Sequence, residues 1–442
     1  MNTSTQPTTR RARPPSLLSD HPERLALNDE AHARPFEAVR PPTRASYIAY
    51  LNHSICYEQE LALMAELCAS YDVAPPAAGR NHFSANLGAF RFKWARHSEF
   101  SSVTFIRHGE FRDPFGEPAL LHVPESWLKQ LPGDVLVAAH AGLEVQRLLP
   151  EKLEAVSTEY FKGNDLIGAR IGDGSGAVYT DFRIHADGFS RYLLADIQMG
   201  PKQAGRMLQR LFEIDTYRMM ASLALPLAKS LSPTLNDADR ELAVLTAAMA
   251  DARQEDEPQL LDRLTRLAAH IERLLSESDY RFSAARAYYG IVERRIGELR
   301  EVRIQGMQPF REFMERRLAP AMNTCDSVER RQRMLADRVS RASAMLRARV
   351  DISLERQNQE LLGSMDRRAK LQLRLQETVE GLSVAAITYY TVGLVGYAAK
   401  GLKTAGLHIE PELAMGLAIP VVALAVALGL RRMRKALAQE ME

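Results

Sequence analysis

The chain has 442 residues, 46% apolar and 25% charged, with a formal net charge of +2. This composition excludes a disordered polyelectrolyte and gives no global electrostatic reason to expect a nucleic-acid partner. Its three cysteines, Cys56, Cys68 and Cys325, lack C-x-x-C spacing, which argues against a disulfide framework or zinc knuckle and suits a reducing compartment.

Residues 1–19 are rich in Thr, Ser and Pro, carry Arg10, Arg11 and Arg13, and lack the apolar run of a secretion signal. They read as a disordered, uncleaved tail. Residues 20–200 mix short β-like runs with turns. Residues 45–52 read as a strand and 56–71 as a helix. Residues 90–94 and 102–107 alternate and are expected to pair. A helical turn is expected around Trp127, followed by a buried strand over 134–140. Strands over 169–171 and 178–184 flank Gly172-Asp173-Gly174-Ser175-Gly176, and 189–197 reads as another. Strands separated by a helix and Gly-rich turns predict an α+β sheet domain over 20–200.

Residues 201–381 take a helical period and predict a bundle with a long stalk helix. Pro201 suits a helix start, with Met207, Leu208, Leu211, Ile214 and Met219 on one side. Pro226 and Pro233 are expected to end that helix. Further helices are expected over 237–251, 258–276 and 278–306, with Pro309 and Pro320 as punctuation. No proline follows until Pro411. The stripe from Val328 through Leu335, Val339, Leu346, Leu361 and Leu375 to Leu382 predicts one helix, or two collinear ones, on the order of 120 Å long. Such a helix needs partners along it, either the preceding helices or other copies of the chain, and a coiled-coil-like homo-oligomer is expected.

Residues 382–399 and 413–430 contain no charge. Each spans about 27 Å as a helix, close to the roughly 30 Å hydrocarbon thickness. Arg367, Arg368, Lys370 and Arg374 precede the first run and Arg431, Arg432, Arg434 and Lys435 follow the second, with only Lys400 and Lys403 between. This asymmetry predicts a transmembrane hairpin over 382–430, a basic cytoplasmic tail over 431–442, and both chain ends in the cytoplasm. Tyr389, Gly393 and Tyr397 fall four residues apart, a small/aromatic alternation suited to close helix packing. Tyr390 lies near mid-span and Pro420 is a candidate kink. These residues are candidates for helix packing or for lining a pore, packing being preferred. Neither span carries an ionisable carboxylate or basic group, so a proton or ion relay lacks its usual marker.

Several constellations are candidates for chemistry. Nine of the histidines precede residue 200. His97 with Glu99 on one strand, and His108 with Glu110 on its partner, would suit a carboxylate–imidazole metal site. No tight ligand spacing accompanies them, so structural histidines are preferred and no metal or cofactor is assigned. Glu30, His32 and Arg34 offer charge, imidazole and a Pro35-stiffened turn, either as a binding loop or as a docked linker. Trp94 and Arg96 join them as binding candidates. Gly172 to Gly176 is followed by a strand-like run rather than a helix, so a hairpin turn is preferred over a phosphate cradle. Arg206, Arg210, Glu213 and Tyr217 share one helical face, as a buried network or, preferably, as local pairs. The Arg-rich stretch 281–349 interleaves glutamates, which favours a solvated bundle face over an RNA or lipid surface. No G-x-S-x-G nucleophile motif occurs.

Four stretches carry a family resemblance: Leu27-Asn28-Asp29-Glu30-Ala31-His32-Ala33-Arg34-Pro35-Phe36, after His21-Pro22; Phe92-Lys93-Trp94-Ala95-Arg96-His97-Ser98-Glu99-Phe100; Glu213-Ile214-Asp215-Thr216-Tyr217-Arg218-Met219-Met220; and Leu373-Arg374-Leu375-Gln376-Glu377-Thr378-Val379-Glu380-Gly381-Leu382-Ser383. Nearly the whole chain resembles, in order, an uncharacterised bacterial family of membrane-anchored proteins, domain-of-unknown-function family 3422. The resemblance implies anchoring and no activity. The layout is also similar to CorA-type cation channels, but Gly396-Tyr397-Ala398 stands where their Gly-Met-Asn signature is expected. The leading expectation is a non-enzymatic membrane-anchored binding or organising protein with a cytosolic partner. The alternatives are a CorA-like channel and a membrane-tethered metal-dependent enzyme.

Overall fold

A computed structural model describes residues 20–31, 35–146, 153–405 and 410–439. The expected tail over 1–19, together with His32 and Arg34, lies outside the described residues. The chain forms two compact units, Met1–Thr246 with Leu264–Ser340, and Ala247–Arg263 with Arg341–Glu442.

The fold is α+β. In chain order the N-terminal part contains α1 (Arg24–Ala31), β1 (Thr43–Leu51), α2 (Tyr57–Ala69), β2 (His82–Asn86), β3 (Arg91–Arg96), β4 (Phe100–His108) and α3 (Glu125–Leu128). There follow β5 (Val135–Val145), α4 (Leu153–Phe161), β6 (Ile167–Ile171), β7 (Gly176–Thr180) and β8 (Ser190–Asp196). The helical part comprises α5 (Pro201–Ser222), α6 (Ala224–Asp251), α7 (Glu257–Leu299), α8 (Phe310–Arg317), α9 (Ala319–Thr404) and α10 (Pro411–Gln439), with the two-residue β9 (Val302–Arg303) after α7. Among the described residues nine strands make one sheet in the order β2-β3-β4-β1-β5-β8-β7-β6-β9. Among these strands only β5 and β8 pair in parallel, joining two antiparallel halves. The intervening chain, with α4 and the β6–β7 hairpin, supplies the long crossover that a parallel pair needs. That hairpin turns through Gly172, Asp173 and Gly174 at positive φ, as the glycine run predicts.

Period-two alternation assigns the sheet's faces. Phe92, Trp94, Val103, Phe105, Ile48 and Tyr50 point to one face, where Met64 and Leu67 of α2 and Trp127 of α3 complete a core. Val156, Tyr160 and Phe161 of α4 pack with Tyr179, Leu193 and Ala195 in a second cluster. α5 covers the opposite face. Pro201 stands at its first turn, and Phe212 stacks on Tyr47 of β1 at 4.7 Å. α7 lies on the far side of α5, so α5 is buried over most of its circumference.

Several boundaries differ from the sequence expectation. Pro226 and Pro233 do not end α5. α5 stops at Ser222, and both prolines lie in α6. Pro226 falls in the first turn, where no N–H bond is lost. Pro233 is internal, and burial of Ala228, Leu231, Leu235 and Ala238 on either side of it outweighs the missing bond. α7 runs unbroken through Ser276–Ser278, where the Ser278 hydroxyl bonds to Leu274 O at 2.7 Å and meets the buried Gln332 of α9. It ends at Leu299 rather than at Gly306, because Arg300 turns left-handed. α9 is one 86-residue helix. Its stripe is buried at Val328, Leu335, Val339 and Leu346, then exposed at Leu354, Leu361, Met365, Leu371 and Leu375.

Two helical stretches are long and apolar enough to cross a membrane. One lies within 310–404, with mean hydropathy 1.4 and 22% of its apolar window buried; the other is Pro411–Gly429, with mean hydropathy 2.1 and none of its window buried. The two helices approach each other closely at Gly396, where an added Cβ would lie 2.2 Å from Met415 Sδ.

Candidate functional site

The registers of β2, β3, β4 and β1 lay two cross-strand rows on the face that α5 covers. Ser84, Lys93, Thr104 and Tyr47 form one row, and His82, Ala95 and Ser102 the next. Opposite them, Gly205, Leu208, Gln209, Phe212, Thr216 and Tyr217 recur at helical spacing along α5. Between floor and roof is a cavity of about 420 Å³, whose wall is completed by Arg80, His97, Phe100, Ile106, Glu213 and the strand-like segment at Pro35, Glu37 and Val39.

That segment is a strap laid across α5. A Cβ at Gly205 would lie 1.6 Å from Glu37 O, so only glycine permits the crossing. Val39 N donates to Pro201 O at 3.0 Å, and the Arg206 guanidinium lies 5.0 Å from the Phe36 ring centroid, over its face. The Glu37 carboxylate pairs with Arg91 at 2.6 Å and accepts from Ser84 Oγ at 2.6 Å. Lys93 Nζ donates to Pro35 O at 2.7 Å.

The cavity is graded. Toward the β2 edge it carries Arg80, His82 and Lys93; toward the middle of the sheet it is apolar, with Val39, Tyr47, Ile106, Leu208 and Phe212. Burial pulls the Lys93 ammonium below the usual lysine range, Arg91 acts in the same direction, and Glu37 and Glu213 only partly restore it. Burial raises the Tyr47 phenol, whose hydroxyl shares a 2.9 Å bond with Thr216. Glu213 is paired with Arg295 of α7 at 2.5 Å and accepts from Gln209 at 2.8 Å.

The other site residues predicted from sequence fall in several places. Glu30 lies in α1; Pro35, which follows the loop of His32 and Arg34, reaches the cavity. Trp94 and His97 line it as well. Arg96 points away, pairing with the buried Glu60 of α2 at 2.5 Å. His97 and Glu99 do not share a strand face, because β3 ends at Arg96 and both sit in the turn before β4. There His97 stacks on Phe100 at 4.3 Å, while Glu99 receives both guanidinium nitrogens of Arg281 at 2.9 and 3.1 Å. Burial favours a neutral Glu99, but bonds from Tyr288 and Arg281 together with the Arg281 charge outweigh it and hold the carboxyl below its usual range. The histidines are dispersed: His108 meets Thr43, His140 meets Ser46, and His185 meets Asp181. Among the described residues no group of three metal-type side chains assembles.

The α5 face is not a set of local pairs. Arg210 reaches Glu298 at 2.9 Å and Glu213 reaches Arg295, both on α7. Tyr217 stacks on Tyr288 of α7, with centroids 5.6 Å apart. The basic stretch from Arg281 onward is likewise engaged: Arg286 and Arg333 with Glu329, Arg331 and Arg338 with Asp239, and Arg349 with Glu257. Tyr389, Tyr390 and Tyr397 are largely exposed on α9, Gly393 has open space around its Cα, and Pro420 is inside α10.

Lys93, Glu37, His82, Arg80 and Tyr47 were not singled out from sequence. The alternation that identifies β3 does place Lys93 opposite the Phe92–Trp94 face, but its neighbours depend on the short β2 and on α5, about 110 residues downstream.

The model of a family described as "Protein of unknown function (DUF3422)" matches residues 19–437. Three of the four stretches that carry the resemblance converge on the cavity, through Pro35, through Lys93 and His97, and through Glu213, Thr216 and Tyr217. No curated protein and no solved structure matches the chain.

Proposed function

The chain belongs to the DUF3422 family, and from that premise we propose that it is a membrane-anchored binding protein, held in a bacterial inner membrane by a hairpin of α9 and α10, with its sheet unit in the cytoplasm. One observation supports the reading: little of the apolar windows of these helices is buried, 22% and 0%. A core helix of a soluble protein buries such a surface; exposed leucine, valine and tyrosine over more than 18 residues call for hydrocarbon. The flanking cations support an orientation with both chain ends inside, since Arg367, Arg368, Lys370 and Arg374 precede the first span and Arg431, Arg432, Arg434 and Lys435 follow the second.

Leu361, Leu362, Met365, Leu371 and Leu375 are each 59% exposed or more, on α9 before its uncharged stretch. In the aqueous phase these side chains require cover, and another copy of the same helix supplies a matching stripe. Self-association through this segment is therefore part of the proposal. Alkaline carbonate extraction tests the anchoring. The full chain stays in the membrane pellet and is released only by detergent; release by carbonate alone overturns the reading.

A further inference from the structure

We propose that the cavity beneath α5 binds a small monocarboxylate with an apolar body, its carboxylate at Lys93 and its body against Tyr47, Leu208 and Phe212. The inference concerns the sheet unit and stands whether or not α9 and α10 cross a bilayer.

Charge accounting around the cavity leads to the anionic head. Both acids in the wall are already neutralised from outside it, Glu37 by Arg91 and Glu213 by Arg295. Among the described residues Lys93 forms no ion pair, and the one acceptor recorded for it is the Pro35 carbonyl. A desolvated ammonium facing a neutral carbonyl gains from an incoming anion, which restores the charged form that burial disfavours. The head is a carboxylate rather than a phosphate dianion because the floor is strand. Its amides are committed to the β2–β3–β4–β1 ladder, so among the described residues no helix N-terminus or amide nest aims at Lys93. A single lysine is a point charge suited to one negative charge.

The apolar body follows from the other end. Val39, Ile106, Leu208 and Phe212 surround Tyr47, whose own hydroxyl is occupied by Thr216. A cavity of about 420 Å³ lies in the range of small-molecule sites, roughly 300–1,000 Å³, which are mostly apolar with a few placed polar groups.

The test uses the full chain in lipid nanodiscs, with empty nanodiscs as the blank for partitioning. Equilibrium dialysis compares 4-phenylbutyrate with the uncharged 4-phenylbutanol, for wild type, Lys93→Met, Lys93→Arg and Leu208→Trp. The expected result is binding of the carboxylate about tenfold more tightly than the alcohol, the equivalent of one desolvated charge contact. Lys93→Met removes that preference and Lys93→Arg restores most of it. Leu208→Trp, which fills the apolar end without touching charge, weakens both ligands. Tryptophan-fluorescence melting verifies that each variant is folded before its affinity is compared. Equal affinity for acid and alcohol in the wild type overturns the assignment of the head. Unchanged carboxylate binding in folded Leu208→Trp overturns the location. Absence of carboxylate binding to the wild type overturns the proposal as a whole.

Discussion

Replacing Gly205 by alanine perturbs the strap with a single methyl group. The new Cβ lies 1.6 Å from Glu37 O, whereas ordinary contact begins near 3.4 Å, so the strap must retreat by about 1.8 Å. A retreat of that size breaks the Lys93–Pro35 bond of 2.7 Å and the Ser84–Glu37 bond of 2.6 Å. Overpacking costs about 1–3 kcal/mol and each lost bond about 1 kcal/mol, against about 1 kcal/mol returned by the better helix propensity of alanine. The net loss is about 2–4 kcal/mol, or roughly 3–6 °C in melting temperature for a unit of this size. The assay is intrinsic fluorescence, because the chain's two tryptophans, Trp94 and Trp127, both lie in the core beneath α2 and report on the sheet unit alone. Gly290→Ala is the control. Gly290 is exposed in α7 with nothing within 4 Å of an added Cβ, so propensity raises its stability by up to about 1 kcal/mol. A Gly205→Ala protein that melts with the wild type refutes the close crossing of strap and helix.

Other consequences follow from the same structure. Burial, reinforced by Glu159 and Asp113, pushes the Glu144 carboxyl up to about 7. Its stabilising contribution is full below the ordinary value of 4.5 and is lost as pH rises through 7, by about 3 kcal/mol. Glu144→Gln is therefore expected to out-melt the wild type at pH 8 and to converge with it near pH 4.5; a constant difference across that range contradicts the assignment. Arg281→Ala leaves the buried Glu99 without its bidentate partner and is expected to cost about 3 kcal/mol, read by the same fluorescence melts. Loss within 0.5 kcal/mol would show that the pair is solvated. Cysteine at Leu361, in a Cys56→Ser background, is expected to give a disulfide-linked dimer in mild detergent, and exclusively monomeric protein argues against self-association along α9.

The sequence made the sheet's strands legible where one face is apolar. Phe92 and Trp94 alternate with Lys93 and Ala95, and their pairing with β4 follows from the same period. β2 was missed because His82 to Asn86 carries one aromatic and no fully buried residue. α4 was missed since Leu153 to Phe161 is short and weakly amphipathic. The two prolines do not mark the ends of helices: Pro226 sits in the first turn of α6, where no bond is lost, and at Pro233 tertiary burial outweighs the missing bond. The cavity itself was legible only as fragments. Trp94, His97, Glu213 and Tyr217 were all flagged, yet what joins them is a cross-strand register plus a helix that returns after the whole sheet is complete. Charge pairing over long separations was equally hidden: Arg281 meets Glu99 and Arg295 meets Glu213 across distances that local spacing does not reveal.

The most direct test of membrane anchoring is cysteine accessibility in intact cells, again with Cys56→Ser as background. Ala405→Cys, at the end of α9, is predicted to react with a membrane-impermeant maleimide from outside, and Gln439→Cys, at the end of α10, only after lysis. Labelling of Gln439→Cys in intact cells, or protection of Ala405→Cys until lysis, contradicts a hairpin with both chain ends inside.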